Sequence, residues 1–480
     1  MQAARRLVVA TAPVEKGALH VPALPTEDGR GLALEHVDVK DLLERPSSYY
    51  SALTGSFAKR LHEHLGVGVA AATVLARDSA VLLGYLFLDR TVRLHRLISR
   101  EGPETLAIPE MKDEPADRLD LLRLRSSASA AFNQMVLNRA AMAWDLPRVP
   151  VPAGFLTEPR APKKNPRNMN FAAPSLARRV KWKLCRILSR RWGAIPTSGL
   201  SYSTENFLDG FMFWPGRLAE LGGSFPPRYP ADPDLRRRLL GPALDENAGE
   251  WSALVASFGV SADTAKKSAA AWKEFALLNY PTTLLEDAPE NLAAATVELE
   301  RFRKGALFFS ETGDVRSQTF IAAAKQLGLR IIEFQHGAHY GFAVHPAFTE
   351  LEFAHCDAFV GWGWTEIKPS ALTRSVKAIP MPAPWLSDRT KRWRKALSQS
   401  TAKRFDVLLM TDKLFHFPPT LYTNRAGRMD FLEQRCAWLE DVVRALSAAG
   451  LTVLHKPFDS MSALAQKDTI ARLERDLGVT

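Results

Sequence analysis

Short alternating strand and helix patterns in the second half of the chain most constrain its fold. Apolar runs predict a strand at Ala306–Ser310, a turn at Glu311–Asp314 and a helix at Arg316–Leu327. Two further runs, Arg330–Phe334 and Ala358–Trp362, predict the next strands. Strands that alternate with helices through short connections form βαβ units, whose sheet is parallel. The sequence therefore predicts an α/β fold.

A second series of the same kind follows an extended, proline-rich stretch at Ala378–Pro384. It predicts a strand at Phe405–Met410, a helix at Arg428–Ala449 and a strand at Leu451–His455. An open doubly wound sheet usually has about five or six strands. Since the series has barely begun where the sequence ends at Thr480, we expect the second domain to be incomplete or very small.

The first half of the chain predicts one strand and several helices. Arg6–Ala12 is an apolar, β-branched run, typical of a buried parallel strand. Helical periodicity follows in four segments: Ser51–Ser99, Asp117–Trp144, Ser175–Trp192 and Ser261–Leu278. The interval Tyr202–Pro242, rich in proline, glycine and aromatic residues, gives no assignment.

Together these patterns predict two α/β domains. We expect a first domain over residues 1–385, with helical and irregular insertions over about residues 50–300. A linker over residues 386–404 and a partial second domain over residues 405–480 follow.

The longest apolar region, Leu65–Leu88, is interrupted by Arg77 and Asp78. A membrane-spanning helix needs about 20 nearly uninterrupted apolar residues. The interruption therefore favours two buried helices, joined at Arg77 and Asp78, over one membrane span.

Composition excludes several classes of protein. Of the 480 residues, 46% are hydrophobic and 24% are charged, which is typical of a globular protein and excludes a disordered, collagen-like or polytopic membrane chain. The net charge of +11 fits an anionic small substrate, an anionic membrane or a nucleic acid, and does not choose among them. Cys185, Cys356 and Cys436 have no partner at C-x-x-C spacing, so we expect reduced thiols in a cytoplasmic protein. No secretory signal opens the sequence.

The densest group of polar candidates follows a predicted strand, at Glu333–Gly341. Ligands of open α/β sheets bind beyond the carboxyl ends of the strands. His336 and His339 can donate hydrogen bonds to a phosphate or exchange protons near neutral pH. The alternative is that Gln335 and His336 only cap a buried turn. We expect no metal here, because no Cys or Asp lies at a suitable spacing from these histidines.

A second candidate is the turn before the predicted helix at Arg316. Glu311 or Asp314 can act as a general base that deprotonates a hydroxyl group. Asp314 is equally suited to be the N-cap of the helix. The chain lacks the glycine-rich dinucleotide motif, the P-loop and the G-x-S-x-G motif, which argues against the enzyme classes that use them.

Two further strand ends carry candidate residues. Trp364 can stack on a sugar or a base, although packing in the interior is the favoured interpretation. His455 and Lys456 end a strand of the second domain, where Lys456 offers a point charge for a phosphate. A solvated strand end is the alternative for that pair.

A strongly basic segment lies at Arg178–Arg191, within a predicted helix. Apolar residues alternate with its basic residues, partly at helical spacing, as in helices that lie on an anionic membrane. A solvated helix face is the alternative. We expect no nucleic acid as a partner, since no RNA-binding or zinc-finger signature accompanies the charge.

Five segments, in this order and spacing, resemble a family of bacterial transferases usually encoded among genes for surface polysaccharide, O-antigen or capsule. They are RLVVATAP near the start, LLGYLFLDR (Leu82–Arg90), EFQHGAHYG (Glu333–Gly341), FVGWGW (Phe359–Trp364) and LHKPFD (Leu454–Asp459). The resemblance implies a GT-B-like fold, in which two Rossmann-like domains face each other across a cleft. The first domain would then hold the acceptor and the second, partial domain the donor.

The resemblance also implies roles for the candidate residues. His336 with Gly337 matches a His-Gly loop that lies at the cleft in related glycosyltransferases, and Lys456 loosely matches a basic strand end. We expect His336 and Lys456 to contact phosphate, and Glu311 or Asp314 to act as the base. The residues expected to bind donor or acceptor are Gln335, Gly337, His339, Tyr340, Gly341, Trp364 and His455.

The sequence thus predicts a glycosyltransferase that moves a sugar from a nucleotide-activated donor to a surface polysaccharide or a lipid-linked acceptor. The activated sugar is a co-substrate, and no other cofactor and no metal are expected. A cytoplasmic location, peripheral on the inner face of the membrane, fits the basic segment. The alternatives are a phosphotransferase of the same fold that uses a CDP-activated alcohol, and an inactive binding or scaffold subunit.

Overall fold

The computed structural model describes fourteen stretches of the chain. They are residues 6–8, 19–20, 45–109, 130–151, 194–200, 218–222, 225–302, 305–310, 315–336, 347–367, 376–384, 405–411, 431–456 and 467–477. Single helical positions between residues 176 and 208 and between 386 and 394 are described as well.

The described strands form three parallel sheets, of four, six and two strands. The first sheet contains β1 (Arg6–Val8), β2 (Leu19–His20), β3 (Thr105–Pro109) and β4 (Arg148–Val151). The second contains β5 (Ile195–Ser198), β6 (Leu218–Glu220), β7 (Ala306–Phe309), β8 (Arg330–Phe334), β9 (Ala358–Gly361) and β10 (Lys377–Pro380). The third contains β11 (Val407–Met410) and β12 (Val453–Lys456). The predicted α/β class is confirmed, whereas the GT-B-like arrangement of two domains is not.

Twelve α-helices are described. They are α1 (Ser47–Leu65), α2 (Val69–Glu101), α3 (Ala130–Ala141), α4 (Pro233–Leu239), α5 (Gly241–Glu246), α6 (Ala248–Ala256), α7 (Ala262–Asn279), α8 (Ala288–Leu299), α9 (Val315–Gln326), α10 (Ala347–His355), α11 (Phe431–Ala448) and α12 (Lys467–Leu477). Local signals explain several of their ends. Ser261 caps α7 by accepting a hydrogen bond from the backbone N–H of Thr264, and Gly328 follows α9 with a φ of 67°.

The order of strands in the six-stranded sheet is β10-β9-β8-β7-β5-β6. From β5 the chain moves outward to β6, then returns to the other side of β5 and continues outward from β7 to β10. The connections after β5 and after β7 therefore leave in opposite directions. We call the carboxyl ends of β5 and β7 the switch point, the position at which open α/β sheets bind their ligands.

Helix α2 is the central helix of the main core. It packs against α1, α3, α7, α9 and α10, and so against helices that flank both larger sheets. Among the described residues it is the one helix that is long and apolar enough to cross a membrane, but 89% of its apolar window is buried inside the protein. Such burial is typical of a core helix.

The prediction that two helices meet at Arg77 and Asp78 is wrong. Helix α2 runs without a break through both residues, and the junction with α1 lies at Gly66–Gly68, where Gly66 has a φ of 65°. Partners from distant segments explain why a charged pair is tolerated there. Asp78 is buried with its Oδ1 2.6 Å from Nε2 of His355, and Gln318 donates a hydrogen bond to its Oδ2.

Candidate functional site

The candidate site lies along the carboxyl edge of the six-stranded sheet. Because all its described pairings are parallel, the residues that follow β5, β7, β8 and β9 lie at one edge. Neighbouring strands are about 4.8 Å apart, so His336, after β8, is one strand from the end of β7 and two from the end of β5.

Arg316, in the first turn of α9, spans the switch point. Its guanidinium donates to Oγ of Ser198 at the end of β5 (3.1 Å), to Oε1 of Glu220 at the end of β6 (3.3 Å) and to the carbonyl oxygen of Leu221. A cation at the N-terminus of a helix is disfavoured by the helix dipole, so Glu220 offsets an unfavourable placement. The side chain is 29% exposed, so part of it faces solvent.

Glu220 is held by donors from β5, from the residue that follows β5 and from α9. Its carboxylate accepts hydrogen bonds from Oγ1 of Thr197 (3.0 Å) and from the backbone N–H of Gly199 (3.1 Å), besides the one from Arg316. Burial raises the pKa of Glu220, and the charge of Arg316 with these hydrogen bonds offsets only part of the rise. The carboxyl group therefore binds a proton more readily than an exposed glutamate.

The switch point combines a guanidinium, a hydroxyl and a carboxyl group with a raised pKa. A guanidinium donates paired hydrogen bonds to a phosphate or a carboxylate, and it does not lose its charge at any ordinary pH. The edge is therefore suited to hold an anionic group beside a residue that exchanges protons.

The two candidate bases connect the strand and the helix that flank the switch point. Strand β7 ends at Phe309 and helix α9 begins at Val315, so Glu311 and Asp314 belong to the connection between them. Both lie outside the described residues. The choice between a general base and an N-cap for Asp314 stays open.

Gln335 and His336 follow β8 and differ in their surroundings. Gln335 is buried, and its Oε1 accepts hydrogen bonds from the backbone N–H of Trp362 (2.7 Å) and from Nε1 of Trp364 (2.9 Å). It thus ties the segment after β8 to the segment after β9. His336 is exposed at the edge of the sheet. Gly337, His339, Tyr340 and Gly341 lie outside the described residues.

Trp364 packs inside this edge. Its indole lies 5.3 Å from the ring of Phe359 and 6.1 Å from that of Phe353, between ring centroids. It also covers Gly361, where a Cβ atom would come within 2.4 Å of the indole. These contacts support the packing interpretation of Trp364, and its expected role in binding a substrate stays a prediction.

His455 and Lys456 lie at the end of β12, in the two-stranded sheet. Nε2 of His455 is 3.1 Å from Oγ1 of Thr411, and burial lowers the pKa of the imidazole, so His455 is neutral at pH 7. Lys456 is exposed and carries the positive charge of the pair.

No metal centre is found in the part of the chain that the structure describes, where no group of three or more His, Cys, Asp or Glu side chains is placed to hold an ion. His355 is buried beside Asp78.

Sequence reasoning missed Ser198, Glu220 and Arg316 as site residues. Strands β5 and β6 have only four and three residues, too short to give a periodic signal. One signal was present, since an arginine at the start of a predicted helix after an apolar strand is unfavourable unless an anion compensates it.

Residues 268–476 match the model of a family described as LIC12162 family transferase. The match extends from within α7 to within α12 and covers less than half of the chain, including β7–β12 but neither β5 nor β6. The description is consistent with a transferase. No curated protein and no solved structure matches the chain.

Proposed function

We propose that this protein is a glycosyltransferase that moves a sugar from a nucleotide-activated donor to a surface polysaccharide or a lipid-linked acceptor. The family match supports transfer chemistry. The observation that carries the proposal is the position of Arg316 at the switch point, joined to Ser198 and Glu220 and partly open to solvent. A cation at that edge suits a substrate that carries phosphate.

In the proposed reaction, negative charge develops on the phosphate that leaves the sugar. Arg316, His336 and Lys456 would stabilise that charge, since preoriented donors are most effective where charge appears during the reaction. Glu311 or Asp314 would take the proton of the acceptor hydroxyl. This division of roles needs no metal, because the cationic and neutral donors come from the chain itself.

Incubation of the protein with a panel of nucleotide-activated sugars and a lipid-linked acceptor tests the proposal. Release of the nucleotide with formation of a glycosidic product is expected. Release of CMP with the phosphate retained on the product would favour the phosphotransferase instead. If no donor gave turnover and none bound, the result would favour a binding subunit and overturn the proposal.

Two variants test the assigned residues. Arg316→Gln and His336→Ala should each lower kcat by about 10²–10³-fold, the usual loss when one donor to a developing charge is removed. Arg237→Gln and His64→Ala are matched controls, because Arg237 forms an exposed ion pair with Asp234 and His64 is exposed on α1. Because His336 is exposed, His336→Ala should leave the Tm nearly unchanged, and a large fall in Tm with little change in kcat would make it a structural residue.

A further inference from the structure

Four large apolar side chains are exposed on one side of a helical segment. The described positions 176, 180, 183, 184 and 187 are helical. Leu176, Val180, Leu184 and Ile187 are 71%, 48%, 47% and 68% exposed. At 100° per residue, their spacing places all four within an arc of about 80°. We call these four residues the apolar stripe.

Positive charge surrounds the apolar stripe in the sequence. Between Arg178 and Arg191 the chain carries seven basic residues and no acidic residue. They are Arg178, Arg179, Lys181, Lys183, Arg186, Arg190 and Arg191. Lys183, the one whose side chain is described, is exposed next to Leu184.

We propose that the apolar stripe docks this protein on an anionic lipid bilayer. The interface of an anionic bilayer matches both properties of the segment. It has an apolar layer that can bury the apolar stripe, and negatively charged headgroups that can bind the basic residues. A second copy of the chain is a poorer partner, since two such segments would bring like charges together. A nucleic acid would satisfy the charge but would leave the apolar stripe in water, because its backbone binds through phosphates.

Flotation of the purified full chain with vesicles tests the proposal without any substrate. We expect the protein to float with vesicles of equimolar phosphatidylcholine and phosphatidylglycerol, and to remain behind with phosphatidylcholine alone. Raising the salt from ~0.1 M to ~1 M shortens the Debye length from about 10 Å to about 3 Å and should release most of the bound protein. Equal binding to both vesicles, or binding to neither, would overturn the proposal.

Variants at exposed positions separate the two contributions. Ile187→Ser should weaken the partition coefficient about tenfold by removing a buried apolar side chain, and Lys183→Gln about fivefold by removing one charge. Val297→Ser and Lys266→Gln are matched controls, since both residues are exposed on the helices α8 and α7. Equal losses in the controls would contradict a specific role for the segment.

Two further measurements exclude other occupants. If sedimentation showed a dimer that Ile187→Ser dissociates, while vesicles were not bound, the stripe would be a contact between two copies. If the protein bound a DNA duplex in a salt-dependent manner but did not bind vesicles, the basic residues would be a nucleic-acid-binding surface. Either result would overturn membrane docking, and neither depends on whether the protein transfers a sugar.

Discussion

At the switch point, Arg316 and Glu220 depend on each other. Arg316 carries a charge that the helix dipole disfavours, and Glu220 is buried enough that its carboxyl group resists ionisation. The ion pair reduces both costs without removing either. Such a pair can exchange partners when an anionic ligand arrives, since the ligand can replace Glu220 beside the guanidinium and leave the carboxyl group protonated.

The raised pKa of Glu220 predicts how stability depends on pH. A carboxyl group whose pKa is higher in the folded than in the unfolded protein stabilises the fold below its ordinary value, near 4.5, and that stabilisation is lost as the pH rises. The glutamine in the Glu220→Gln variant cannot ionise. The free energy of unfolding of the variant, relative to that of the natural protein, should therefore increase as the pH rises above about 4.5. Urea unfolding of both proteins across this range measures the difference.

Glu440 provides a control, because its pKa is shifted in the direction opposite to that of Glu220. Hydrogen bonds from Arg444 and Arg472 lower the pKa of its carboxyl group. Glu440→Gln should therefore lose stability relative to the natural protein as the pH rises through the range in which the carboxylate forms. The same trend in both variants would contradict the opposite pKa shifts of the two carboxyl groups.

Among the elements, α1 and α2 show how glycine defines a helical hairpin. Gly66 and Gly68 end one helix and begin the next, and their spacing in the sequence is a stronger signal than the charged pair at Arg77 and Asp78. A third glycine, Gly84 in α2, lets the two helices approach. A Cβ atom there would lie 2.6 Å from Cε1 of Tyr50 on α1.

The same substitution should have opposite effects at two glycines of this hairpin. Gly84→Ala forces Tyr50 out of its packed position and should lower the free energy of unfolding by about 1–3 kcal/mol. Gly55→Ala, on α1 with no atom within 4 Å of the added Cβ, should raise it by about 0.5–1 kcal/mol through helix propensity. Chemical denaturation of the two variants measures both changes, and destabilisation of similar size at both positions would contradict the close approach at Gly84.

The elements that were predicted correctly share a local signal. Strand β8 and helices α7 and α9 have an apolar run, a capping serine or a terminating glycine within the segment itself. Strands β5 and β6 were missed because their stability comes from pairing with each other and with β7, which a linear sequence does not display. Gln335 and His336 were singled out because they follow a clear strand, and their roles stay predictions. Arg316 contacts Ser198 and Glu220, which lie on β5 and β6 and gave no such signal.

Across the whole molecule, the buried contact between Asp78 and His355 joins distant parts of the chain. Asp78 lies in α2, which packs on α3 of the first sheet, and His355 ends α10, which precedes β9 of the second. Gln318 of α9 donates to the same carboxylate. Three helices from different regions thus meet at one buried carboxyl group.

Loss of one partner should therefore weaken the whole fold. His355→Leu leaves the buried Asp78 without its nearest hydrogen-bond partner and should cost about 1–3 kcal/mol of the free energy of unfolding. The double variant with Asp78→Asn should recover part of that loss, because the remaining group is neutral. Arg237→Met, which removes an exposed ion pair with Asp234, should cost no more than about 1 kcal/mol. Equal losses from the exposed and the buried pair would contradict this interpretation.

The family match covers only one side of the switch point. Its β7 side, with Arg316, lies within the residues that match the transferase family, and its β5 side, with Ser198, lies outside them. A ligand held at the switch point would contact both the matched and the unmatched part of the chain. Substitutions at Ser198 would therefore change its surroundings without changing any residue of the family match.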